Sequence, residues 1–108
     1  MIDLQQSDDP GWQDQKDKDW VLLEFRAEWC APCREQTQIL QQLAKEFEGL
    51  VHFRRADIEA NAGLAIEMGV QSVPTLVLYK QEREVQRFIG LQGKSRLRNA
   101  LQACLEQD

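Results

Sequence analysis

An apolar run with strand character, Trp20-Val21-Leu22-Leu23-Glu24-Phe25, gives way within a few residues to a pattern of helical period, and the joint between them is Cys30-Ala31-Pro32-Cys33. A helix start offers backbone N–H groups without partners and the positive end of the helix dipole. Both favour a thiolate over a thiol. Pro32 suits the position because its missing N–H falls where the helix would orphan that donor anyway. Two cysteines separated by two residues can close into a disulfide with little backbone movement. A dithiol at a strand-to-helix turn therefore points to redox chemistry.

The remaining pattern extends this unit into a small layered domain. Residues 20–26 read as a buried strand and residues 31–48 as a helix with Ile39, Leu40, Leu43, Ala44 and Phe47 on one stripe, stopped by Gly49. Leu50–Ile58 is a second strand, and a helix over about 60–68 carries Leu64, Ala65 and Met68 before Gly69. Thr75–Tyr79 is a third strand. Lys80–Arg83 is a polar turn, and Glu84–Ile89 is a fourth strand with Val85 and Phe88 as its apolar anchors. Lys94–Glu106 closes the chain as a helix with Leu97, Ala100, Leu101, Cys104 and Leu105 inward. Residues 5–19 are polar, with a turn at Asp9-Pro10-Gly11 and a weakly specified helix near Trp12–Lys18. A right-handed crossover makes the first two strands parallel neighbours, and the short turn makes the last two an antiparallel hairpin. The expected fold is α/β: one domain over 1–108, with a mixed sheet flanked by helices on both faces.

Composition narrows the function. The formal net charge is −5, from 13 Lys plus Arg against 18 Asp plus Glu. A nucleic-acid binder needs a positive footprint instead. The longest apolar runs are far too short to span a bilayer, and Met1-Ile2-Asp3-Leu4 lacks the basic and apolar start of a secretory signal. These features predict a cytoplasmic protein with no nucleic-acid or membrane partner. A tetrahedral metal site is not expected, because Cys104 and His52 share no ligand spacing with the Cys30/Cys33 pair. On its stripe Cys104 reads as a small buried hydrophobe, and His52 lacks a neighbouring nucleophile and carboxylate. Glu24 is the informative acid, since it interrupts an apolar strand and buried carboxylates cluster at functional sites.

Trp29-Cys30-Ala31-Pro32-Cys33-Arg34 is similar to the Trp-Cys-Gly-Pro-Cys-Lys of the thioredoxin family. Phe25, Ala27 and Glu28 extend the resemblance upstream, and Ala56-Asp57-Ile58-Glu59, Gly69-Val70, Val73-Pro74-Thr75 and Gly90 continue it, so that it covers roughly residues 20–107. The resemblance implies a thioredoxin fold. It makes Cys30 the exposed nucleophile and Cys33 the resolving thiol. Pro74 would be cis beside the cysteines, and the Val73 backbone would pair with an extended substrate. Trp29 would shape the rim, Ala31 and Pro32 would complete the redox loop, and Gly90 would keep the groove open. Glu24 falls where the family carries a buried acid that handles the Cys33 proton, and Arg55 where it carries a Lys near that acid. Arg26 stands in place of a Trp, and Asp57 joins the supporting set. Burial would raise the pKa of Glu24 and a core ion pair with Arg55 would lower it. The implied activity is thiol–disulfide exchange that reduces protein disulfides, in a monomer that needs no cofactor, with a thioredoxin reductase as electron donor. The same dithiol also suits a disulfide oxidase or isomerase. A thioredoxin-like binding or co-chaperone module is the reading from another class, and an intact dithiol speaks against it.

Overall fold

The computed structural model describes residues 5–6, 20–81 and 83–107. Its elements are β1 (Gln5–Gln6), β2 (Trp20–Arg26), α1 (Ala31–Glu46), β3 (Val51–Asp57), α2 (Ala62–Glu67), β4 (Thr75–Lys80), β5 (Arg83–Ile89) and α3 (Lys94–Glu106). The sheet order is β1-β3-β2-β4-β5. β2 runs parallel to β3 and antiparallel to β4, and β4 and β5 form the antiparallel hairpin. All seven residues of β2 are buried, which explains why its sequence is apolar almost throughout rather than alternating.

Alternation along the strands still assigns each residue to a layer. Trp20 and Leu22 join Phe53, Leu76, Leu78 and Phe88 against Leu40 and Leu43 of α1 and Leu97 and Leu101 of α3. Val21, Leu23, Phe25, Val77 and Tyr79 face the other way and pack with Ala65 of α2. Glu24 and Arg26 share the parity of Leu22, so they lie on the face beneath α1. The parallel register sets Glu24 beside Arg55 and Arg26 beside Asp57.

Several boundaries differ from the sequence reading. Gln5–Gln6 adds a two-residue edge strand paired with Arg54 and Arg55, which a polar dipeptide without alternation does not announce. The possible helix near 12–18 and the turn at 9–11 lie outside the described residues. α2 starts later than expected because Asp57 and Asn61 hold residues 57–61 as a turn: Asp57 Oδ1 accepts from Glu59 N–H, and the Asp57 carbonyl accepts from the Asn61 side-chain and backbone N–H groups. α1 stops at Glu46, and Gly49, at φ +82°, turns the chain into β3. Val85 is not a core anchor. The pairing jumps from Leu78–Gln86 to Tyr79–Glu84, which leaves Val85 in a bulge and 44% exposed, while Phe88 is buried as expected. Among the described residues no helix is long and apolar enough to cross a membrane.

Candidate active site

The end of β2 and the start of α1 build the redox centre. Cys30 is the N-cap of α1 and has extended backbone geometry. Cys30 and Cys33 form a disulfide, with Cα atoms 5.2 Å apart. The Cys33 backbone N–H donates to Cys30 Sγ at 3.2 Å. A capping sulfur that accepts a helix N–H is in the place where negative charge is best stabilised once the disulfide opens. Cys33 is fully buried, and Cys30, expected to be exposed, is itself buried at 5% exposure because Val73 and Ile58 pack against it. Ala31 and Pro32 are exposed in the first turn, and Trp29 stands out at 68% exposure. The Arg34 guanidinium donates to the Glu28 carbonyl at 2.8 Å, which ties the approach loop to the helix.

Glu24 is fully buried beneath α1. Its hydrogen-bond partner is Thr37, whose Oγ1 lies 2.9 Å from Oε1 and 3.1 Å from Oε2. The same hydroxyl is 2.9 Å from the Cys33 carbonyl. Burial pushes the Glu24 carboxyl up to about 7, while the Thr37 hydrogen bond and the Arg26 and Arg55 charges pull it down. The expected core ion pair with Arg55 is therefore replaced by a neutral contact from α1, and both arginines act at longer range. Arg26 is buried and reaches the exposed Glu28 carboxylate at 3.6 Å, a distance and setting typical of a weak pair. Arg55 is half-buried. Asp57 serves the turn after β3, through Glu59 and Asn61, rather than the cysteines.

The loop before β4 brings a second wall. The Val73–Pro74 bond is cis and Pro74 is buried. The Val73 carbonyl lies 3.8 Å from Cys30 Sγ, and Ala27, Cys30 and Cys33 form a small cluster against Val73 and Ile58. Gly90 N–H donates to the Pro74 carbonyl at 2.9 Å, and Gly90 has φ +87° with open space where a Cβ would project. A groove of about 250 Å³ runs from Trp29 past Ile58, Ile66 and Val70 to Val73. Its apolar walls suit an extended peptide beside the disulfide.

Cys30, Cys33, Trp29, Ala31, Pro32, Val73, Pro74 and Gly90 thus converge, with Glu24 behind them; Arg26 and Arg55 are charges near Glu24, and Asp57 stands apart. Sequence reasoning missed Thr37 as a partner of Glu24, and it missed Gln36. Gln36 is fully buried and exchanges two hydrogen bonds with the Gln92 backbone. The signal was present: both residues occupy the inner stripe of α1, between Cys33 and Leu40, where a polar side chain needs a partner.

Comparison with known proteins agrees with this geometry. The Thioredoxin family model matches residues 7–103. A thioredoxin of Chlamydia muridarum is 44% identical over 77 residues, covering 71% of this chain and 74% of the relative. A thioredoxin of Rickettsia felis is 39% identical over 77 residues, covering 71% and 73%. The crystal structure of the germline-specific thioredoxin Deadhead from Drosophila melanogaster superposes with a TM-score of 0.81 at 25% identity, covering 95% of this chain and 98% of that one. The buried disulfide at a helix start, the loop that faces it and these relatives converge on one assignment: the chain belongs to the thioredoxin family and is a thiol–disulfide oxidoreductase with protein-disulfide reductase activity.

Proposed function

We propose that this protein works as a single-domain monomer in a reducing, cytoplasmic setting, where it reduces disulfides of substrate proteins and is recharged by a thioredoxin reductase. The observation that carries the reading is the Cys30 sulfur at the N-cap of α1, receiving the Cys33 N–H. In the reduced protein the Cys30 thiolate attacks a substrate sulfur, and one substrate cysteine leaves as the mixed disulfide forms. Cys33 then attacks Cys30 Sγ, the second substrate thiol departs, and the Cys30–Cys33 disulfide remains. The Val73 backbone and the groove beside Trp29 line up the substrate chain, and the absent Cβ at Gly90 leaves open space next to the Pro74 carbonyl that Gly90 N–H holds. Glu24 accepts the Cys33 proton during the second attack. A carboxyl held near pH 7 suits this role, because it is half ionised where the enzyme operates.

Insulin reduction with dithiothreitol or a thioredoxin reductase tests the activity, and Cys30→Ser is expected to abolish it. Titration against glutathione buffers tests the direction. A potential near about −270 mV supports a reductase, whereas one near about −120 mV would make the protein an oxidant. For Glu24, stopped-flow kinetics of Glu24→Gln with a model disulfide is expected to show slower resolution and nearly unchanged attack. Equal rates for both steps would leave Glu24 without a proton role.

A further inference from the structure

The Thr37 hydroxyl has one hydrogen and three acceptors within reach: Oε1 and Oε2 of Glu24, at 2.9 and 3.1 Å, and the Cys33 carbonyl, at 2.9 Å. It can serve only one of them well at a time. We propose that Thr37 is a positioning residue for the proton step, its hydrogen pointing to Glu24 while the carboxylate is charged and turning to the Cys33 carbonyl when Glu24 becomes neutral. This rests on Glu24 as the acceptor of the Cys33 proton.

The step balances without any other reactant. Cys33 Sγ gives its proton to a Glu24 oxygen, directly or through water, and forms a bond to Cys30 Sγ. The bond between Cys30 and the substrate breaks, and the substrate sulfur leaves with the electron pair and is protonated by solvent. The new Glu24 O–H donates to Thr37 Oγ1, and the Thr37 O–H donates to the carbonyl of Cys33, the residue that has just lost its proton. Thr37 thus gives Glu24 a partner in both protonation states, which matters because a buried acid left without one is costly.

Other charges facing Glu24 do not provide this exchange. β2 contributes Arg26, and β3 contributes Arg55 beside it in register and Asp57 further along. β4 places Leu76 opposite Glu24, and α1 presents Cys33 and Thr37. The arginines are fixed positive charges that favour the carboxylate but cannot follow its proton. Thr37 is also set by its own helix, since its hydroxyl reaches the carbonyl four residues back, a bond available to Ser and Thr alike.

The test compares Thr37→Val, which keeps the shape, with Thr37→Ser, which keeps the hydroxyl. The Glu24 carboxyl is titrated directly by carbon-13 NMR, assigned with Glu24→Gln. Loss of a hydrogen bond to a charged group should raise the Glu24 midpoint by about one pH unit in Thr37→Val and leave Thr37→Ser near wild type. At neutral pH, resolution of the mixed disulfide should then slow about fivefold in Thr37→Val, as the ionised fraction drops. A Glu24 midpoint unmoved in Thr37→Val, or moved equally by Thr37→Ser, overturns the proposal. A midpoint that rises while resolution keeps its rate upholds the Thr37–Glu24 link and removes Glu24 from the proton step instead.

Discussion

Gln36 of α1 and Gln92, 56 residues further along, bond in both directions: Gln36 Nε2 donates to the Gln92 carbonyl at 3.1 Å, and Gln36 Oε1 accepts from the Gln92 N–H at 2.8 Å. The Gln92 side chain in turn donates to the carbonyls of Ile89 and Gly90. The helix that carries the cysteines is thereby fastened to the segment that carries Gly90. The Gln36 side chain would otherwise be an isolated amide in the core.

Gln36→Leu fills the same space but leaves both Gln92 backbone groups without these partners. The expected cost is about 1–3 kcal/mol of stability, read by urea unfolding. Hydrogen exchange localises it: the Gln92 amide should lose protection while the β2 amides keep theirs. Unchanged protection at Gln92 would show that the clamp holds nothing.

Gly90→Ala tests the backbone rather than packing. Its Cβ would meet open space, yet φ at +87° is unfavourable for any residue with a Cβ. The expected loss is about 1–2 kcal/mol. Gly63→Ala is the counter-case, since it too meets open space and lies inside α2, where alanine favours the helix by about 0.5–1 kcal/mol. Opposite signs for the two variants in one denaturant series are the predicted result.

Glu24 should make stability depend on pH in a particular direction. Its folded pKa, about 7, stands above the ordinary 4.5. As pH rises from 4.5 to about 7, the unfolded chain releases this proton and the folded chain keeps it, so stability falls. The size is on the order of 3 kcal/mol, and the loss is complete once pH passes the folded value. Glu46 acts in a separate window. The Arg98 hydrogen bond lowers its carboxyl to about 2, so its small contribution is present above 4.5 and is lost as pH falls toward 2. Calorimetry of wild type and Glu24→Gln across both windows checks this: the neutral-side slope should flatten in the variant, and the acid-side slope should stay.

Cys30 should be the reactive thiol of the reduced protein. It caps α1 and retains some exposure, while Cys33 is fully enclosed. Burial raises the pKa of the remaining thiol, Cys104, which disfavours its thiolate. Limiting iodoacetamide at neutral pH, followed by peptide mapping, should place the adduct on Cys30. A first adduct on Cys33 or Cys104 would reverse the assignment of nucleophile.

The order of the main strands and helices, the burial of residues 20–26 in a sheet covered on both faces, and the position of the dithiol at a helix start were legible from the amino-acid sequence. Each depends on local pattern: the period of apolar residues, the glycine that stops a helix, and the spacing of two cysteines. Glu24 was also legible as a buried acid, because an acid inside an apolar strand leaves few alternatives. Its partner was not. Parallel register brings Arg55 alongside, but the packing of α1 across β2 puts Thr37 within hydrogen-bond distance and leaves both arginines further off. Whether burial or charge governs the Glu24 proton depends on those distances and on how completely the helix excludes water, neither of which is a property of the residue list. The same holds for the Gln36–Gln92 clamp, which joins residues 56 apart, and for Val85, which a bulge turns outward. Side-chain pairing between elements is decided by how the layers pack, and only the folded chain contains that information.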